Sequence, residues 1–258
     1  MTTTASATRP SLAADLRGLG VRPGGVVMVH AALRSLGLIQ GGGAAVVRAL
    51  LDAVGSGGTV AAYVDYEPFH DPDDPAPPVF DKLTARAALE YGVLPEVIRT
   101  WPGSVRSDHP GAGVAAIGAQ AEWLTRDHPF AYGYGAGSPL ARLVEVDAQV
   151  LLLGSPLDRI TLLHYAEDRA RLHGKRVVTY QVLMPGANGS PEWVGFEEFD
   201  TGLPCVDGMP ENLFEQIAQA ALAADVGRAG RVAQSQAYLF EARALVDFAI
   251  DYLEARWG

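Results

Sequence analysis

Short runs that are apolar at nearly every position constrain this chain more than any other feature. Residues 26–30 (Val-Val-Met-Val-His), 59–64, 114–117 and 150–153 are each too short for a globular helix and too uniformly apolar for a half-exposed strand. They read as buried strands. Between them lie stretches with helical periodicity. Leu12, Leu16 and Leu19 place a helix over 11–19, and Val46, Val47, Leu50, Leu51 and Val54 form the stripe of a second over 44–54. Gly24-Gly25 and Gly57-Gly58 punctuate the transitions. Further helices are predicted over 84–99, from Asp158 as N-cap to about 172, and over 213–223 and 242–256. Residues 176–184 and 192–199 read as a strand pair joined by a turn at 186–189, and 237–240 as a last short strand. The alternation predicts an α/β protein of one domain over 1–258, with 176–235 allowing a small lobe.

Residues 66–82 stand apart. Five prolines (Pro68, Pro72, Pro75, Pro77 and Pro78) exclude a regular element there. A loop of that length is either a functional lid or specificity loop, or a surface insertion.

Composition narrows the function. Thirty acidic against twenty basic residues give a formal net charge of −10. Such a surface repels nucleic acid and attracts a polycation. One cysteine excludes an internal disulfide. The Thr- and Ala-rich start has no secretory pattern, and no apolar run is long enough to span a bilayer. These features lead us to expect a cytoplasmic protein with no membrane partner, as a monomer or homodimer.

Four groups of residues carry candidate chemistry. On the helix expected after Asp158, Thr161, His164 and Glu167 recur every three residues and share a face. An imidazole held by a carboxylate is suited to general base work. Arg106, Ser107 and His109 precede Pro110 in a loop able to offer donors to a phosphate or thioester. His30, Ala31, Ala32, Leu33, Arg34 and Ser35 follow the first strand, where α/β sheets bind ligands. Asp65, Glu67, Glu198 and Asp200 are acids available for a cationic ligand. No cluster has zinc-ligand spacing, so no metal is expected. Cys205 has no charged neighbour to activate it and reads as a structural thiol.

Taken in order, these segments resemble the aminoglycoside 3-N-acetyltransferases. The resemblance rests on Val27-Met28-Val29-His30-Ala31 with Gly37, Gly58-Thr59-Val60, Arg106-Ser107 with His109-Pro110, and Gly137-Ser138-Pro139. It continues through Val150 to Gly154, Leu163-His164-Tyr165-Ala166-Glu167, Lys175-Arg176, Tyr238-Leu239-Phe240 and Tyr252-Leu253-Glu254. It implies a three-layer α/β/α sandwich unlike the GNAT acetyltransferases, acetyl-CoA as donor, and the 3-amino group of a 2-deoxystreptamine aminoglycoside as acceptor. It also implies His164 as general base, with 30–35 and Arg106-Ser107 holding the donor. On this reading Glu167 or Glu198 orients His164, and Tyr63, Asp65, Glu67, Asp158 and Asp200 contact the drug. Backbone amides near Ala31-Ala32 or Ser107 would hold the oxyanion. Attack is expected to be direct, with no acyl-enzyme. Acetylation of another small amine and a His–Glu hydrolase are the alternatives. Ala32, Asp108 and Arg159 depart from the family pattern, and Arg159 is an odd cation beside a cationic substrate.

Overall fold

The computed structural model describes residues 6–66, 76–186, 188–199 and 203–258. Helices α1 (Arg9–Leu19), α2 (Gly42–Val54), α3 (Leu94–Arg99), α4 (Ala121–Thr125), α5 (Pro139–Glu145), α6 (Leu163–Arg169), α7 (Leu213–Ala223) and α8 (Ala242–Trp257) are set among nine strands. The strands are β1 (Val26–Ala31), β2 (Thr59–Tyr63), β3 (Val105–Arg106), β4 (Val114–Gly118), β5 (Gln149–Leu153), β6 (Val177–Pro185), β7 (Pro191–Phe199), β8 (Gly227–Val232) and β9 (Ser235–Glu241). Seven form one sheet in the order β3-β4-β2-β1-β5-β9-β8. β1 runs parallel to both neighbours, β2 and β5, and the outer pairings are antiparallel.

The uniform apolarity of the central strands now has its reason. Side chains alternate across a strand. Val27, Val29 and Ala31 meet Leu12, Leu16, Val46, Leu50 and Ile98 from α1, α2 and α3 on one face. Met28, with Tyr63 and Leu152 from the neighbouring strands, meets Leu140, Leu163, Ile217 and Leu245 from α5, α6, α7 and α8 on the other. Both faces are covered, so the fold is a three-layer α/β/α sandwich.

Two expected helices are shorter than their periodicity suggests. In 84–99, a 3-10 turn at Leu89–Tyr91 ends at Gly92 (φ 89°), and only α3 is α-helical. The backbone before it is taken by sheet-like bonds: Ala87 bridges Tyr66, and the Ala88 amide donates to the Asp65 carbonyl at 2.9 Å. In 158–172, a 3-10 turn at Leu157–Arg159 stops at Ile160, and α6 starts only at Leu163. Asp158 therefore caps no α-helix. Ile160, Leu162 and Leu163 are all fully buried. One helix face cannot bury all three, and the irregular entrance can.

Four elements lie outside the sequence reading: β3, α4, α5 and β8. α5 carries a legible start, Ser138 accepting from the Ala141 amide at 3.2 Å with Pro139 in the first turn. β8 reads Gly-Arg-Ala-Gly-Arg-Val and has no apolar period. The segment 176–235 is divided between two parts of the molecule. β6 and β7 form a separate two-stranded sheet, whereas α7 packs into the main core and β8 edges the main sheet. The hairpin docks on the body through a small cluster of Tyr66, Phe80, Ala85, Val182 and Phe196. The Phe80 amide donates to Leu183 at 2.7 Å, so the distal end of the proline-rich stretch is tied to the hairpin.

Candidate active site

The site is built around α6. His164 Nδ1 lies 2.8 Å from Glu167 Oε2, one helical turn away on the same face. A carboxylate only accepts, so Nδ1 carries a proton, and in the neutral imidazole Nε2 then holds the lone pair. Three rings hold the imidazole. Tyr134 lies 4.8 Å away at a 32° tilt, Phe214 4.8 Å away edge-on, and Phe199 6.3 Å away. His164 faces a cavity of about 570 Å³ that is also lined by Tyr63, Tyr91, Asp158, Arg159 and Glu211.

Glu198 does not reach His164. It is buried on β7, with Oε1 3.3 Å from His109 Nδ1, and burial pushes its carboxyl up to about 8. Gly111 permits this approach: a Cβ there would stand 2.2 Å from Glu198 Oε1. Asp65, just past β2, is also buried. Its Oδ2 accepts from the Tyr91 hydroxyl at 3.2 Å, and its Oδ1 has no hydrogen-bond partner among the described residues. Burial, then the nearby Glu198, raises its carboxyl well above the usual range. Tyr63 closes this floor, donating to the Gly111 carbonyl at 2.6 Å and standing 3.1 Å from the Tyr134 hydroxyl. Asp158 lines the cavity half-exposed, 3.7 Å from Arg159. Glu67 and Asp200 lie outside the described residues.

His30 and Ala31 end β1, Ala32 follows, and Leu33, Arg34 and Ser35 form most of the 3-10 turn Leu33–Leu36. Arg34 and Ser35 are exposed, and Ser35 Oγ donates to the Ala32 carbonyl at 2.7 Å. Alternation turns His30 to the same face as Met28. Burial, then Arg159, holds its pKa down to about 4, so it is neutral, and its Nε2 is unpartnered among the described residues.

Arg106, Ser107 and His109 stand elsewhere than a phosphate-binding loop requires. All three are buried. Arg106 donates to the Ala85 and Val64 carbonyls at 2.7 and 2.8 Å. Ser107 Oγ accepts from the Val114 amide at 3.0 Å and lies 3.1 Å from His128 Nδ1, while His128 Nε2 lies 2.8 Å from the Gly133 carbonyl. His109 Nδ1 accepts from the Ala112 amide at 2.9 Å. Arg106 thus ties residues 64 and 85 together and Ser107 and His109 hold the 107–114 loop, while Arg106 Nε and His109 Nε2 have no hydrogen-bond partner among the described residues. The amides expected to hold an oxyanion are likewise engaged: Ala32 donates to Leu153 at 3.0 Å and Ser107 to Val114 at 2.9 Å.

Cys205 lines the cavity, but burial, then Glu167, holds its thiol above its ordinary range. That disfavours the thiolate an acyl-enzyme would need.

Comparison with known proteins decides the family. Residues 28–254 match the family model for aminoglycoside 3-N-acetyltransferase. Aminoglycoside N(3)-acetyltransferase III of Pseudomonas aeruginosa is 41% identical, with 97% of this chain and 95% of that protein covered. The VIII enzyme of Streptomyces fradiae is 42% identical over 97% of this chain and 93% of that protein. The chain belongs to the aminoglycoside 3-N-acetyltransferase family. It is an acyltransferase with the family's fold and not a GNAT fold. AAC-IIIb, solved as a binary complex with CoASH, superposes with a TM-score of 0.93 at 45% identity, covering 98% of each chain. AAC-VIa bound to sisomicin gives 0.91 at 36% identity, covering 98% of this chain and 100% of that one.

Several lining residues of this family member escape a sequence reading. Tyr134 sits in the aromatic–glycine run Phe130-Ala131-Tyr132-Gly133-Tyr134-Gly135, a signal that was available. Glu90, Tyr91, Glu211 and Phe214 carry no local mark, because only the fold brings their segments to the cavity.

Proposed function

We propose that the chain transfers the acetyl group of acetyl-CoA to the 3-amino group of a 2-deoxystreptamine aminoglycoside by direct attack. The observation that carries this reading is the His164–Glu167 pair, held 2.8 Å apart on the wall of a cavity rich in carboxylates and tyrosines. Nε2 of His164 takes a proton from the attacking amine. The nitrogen bonds to the thioester carbonyl carbon, the C–S bond breaks, and CoA leaves as the thiol once it regains a proton. Glu167 fixes the tautomer and stabilises the imidazolium. Asp65 and Glu198 are buried carboxyl groups whose charged form burial disfavours and an incoming ammonium group would favour, and Tyr63 and Tyr91 frame a sugar ring. The exposed strand-end turn with Arg34 and Ser35 is the seat for the donor. Arg106, Ser107 and His109 act from behind by fixing the loop under Glu198.

The CoASH and sisomicin complexes of the relatives support both substrates. Acetylation turns a cationic amine into a neutral amide, which would weaken the drug's hold on its target and confer resistance on a cell carrying the enzyme in its cytoplasm. The test is thiol release from acetyl-CoA across several aminoglycosides. Release that needs the antibiotic, and falls at least about 10²-fold in His164→Ala while CoA still binds, is the expected result. Release without an acceptor would point to hydrolysis instead.

A further inference from the structure

Arg159 is the feature of the cavity wall that acetyl transfer leaves unused. It is the only lysine or arginine among the described residues lining the cavity, which is also lined by Glu90, Asp158, Glu167 and Glu211. The fold fixes its place. Gly154, at φ 62°, turns the chain out of β5, and the Leu157–Arg159 turn that follows packs against α7. Arg159 Nε stands 3.7 Å from Asp158 Oδ1 and neutralises that carboxylate where it stands. The guanidinium charge also reaches His30 at the end of β1 and helps keep that imidazole neutral. Asp158 is thus matched by Arg159, whereas Glu167 keeps its charge beside the neutral His164. At the Leu157–Arg159 turn itself the wall therefore offers an incoming ammonium group no net negative charge.

We propose that Arg159 is a specificity-determining residue: at the wall formed by the Leu157–Arg159 turn it selects aminoglycosides that present a hydroxyl instead of an ammonium group. The inference rests on the cavity being the aminoglycoside site. A hydroxyl oxygen accepts a hydrogen bond from the guanidinium, whereas an ammonium has no lone pair and carries like charge.

The experiment uses matched pairs of aminoglycosides that differ by one hydroxyl for one amine, at positions away from the acetylated amine. kcat/KM is measured for the natural enzyme, Arg159→Gln and Arg159→Glu. At one position the natural enzyme should favour the hydroxyl by about ten-fold, the scale of a like-charge contact in a half-exposed site. The preference should vanish in Arg159→Gln and reverse in Arg159→Glu. A second reading needs no variant. Raising ionic strength from about 0.01 M to about 1 M shortens the Debye length from about 30 Å to about 3 Å and should erase the natural enzyme's preference. A preference unchanged in Arg159→Gln, insensitive to salt, or absent at every position overturns the inference while leaving the reaction standing. Failure to turn over any aminoglycoside overturns the underlying reading and the inference with it.

Discussion

The imidazole of His164 is held in place by one bond and three rings. Glu167 takes Nδ1–H, and Tyr134, Phe199 and Phe214 fix the plane of the ring. The spacing of this pair was legible, since residues three apart on a helix are neighbours. The choice between Glu167 and Glu198 was not, because it depends on where β7 lies. Glu167→Gln keeps the shape and removes the charge that stabilises the imidazolium. We expect kcat to fall at least about 10-fold with little change in either KM, as measured by steady-state thiol release. A rise in KM alone would assign Glu167 to substrate binding. Cys205 gives the complementary prediction. Incubation with labelled acetyl-CoA and no antibiotic should leave no stable label on the protein, and Cys205→Ala should keep most of its turnover. A labelled Cys205 would establish an acyl-enzyme route.

The β6–β7 hairpin sets the position of one buried acid. Its strands were readable from composition and from the turn between them, and they run as Val177–Pro185 and Pro191–Phe199. Alternation puts Phe196 and Glu198 on one face. Phe196 packs edge-on against His109 at 4.9 Å, and Glu198 approaches the same imidazole. Docking the aromatic residue therefore places the carboxylate. Phe196→Ala should lower stability by about 3 kcal/mol in urea unfolding, the usual scale for removing a buried phenyl ring. It should also raise KM for the antibiotic more than KM for acetyl-CoA. Equal effects on the two would show that the hairpin serves the whole fold and not the acceptor side. The helices over 84–99 and 158–172 failed as single elements for related reasons. Tertiary bonds claimed the backbone of the first, and burial on all sides broke the second.

Buried titratable groups set how the whole molecule responds to pH. Burial holds His30, His109 and His128 at about 4, 3 and 4, below the ordinary 6.5. The unfolded chain therefore binds more protons at these sites, and their contribution is lost as pH falls below 6.5. Glu198 and Asp65 act in the opposite sense. Their raised folded-state values make the native state the better proton binder, so stability falls as pH rises above their ordinary values of 4.5 and 3.8. Between these values and 6.5 three histidines oppose two acids; above 6.5 the acids act alone. The urea midpoint should peak near pH 6.5 and decline toward pH 8, the region to which Glu198 is raised. Glu198→Gln should flatten the alkaline limb. A midpoint that climbs through that range in the natural protein would contradict this account.

The sequence by itself determined that apolar strands lie buried between helices and that His164 and Glu167 share a helix face. Runs apolar at every position require cover on both faces of a sheet, and a three-residue spacing on a helix requires contact. Both are local consequences of backbone geometry. Tertiary structure alone decided that Arg106, Ser107 and His109 turn inward, that Glu198 lies beside His109, and that Tyr134, Phe199 and Phe214 close around His164. Those outcomes depend on which distant segments the sheet register and the hairpin bring together, and periodicity reports only on residues within a turn or two of one another.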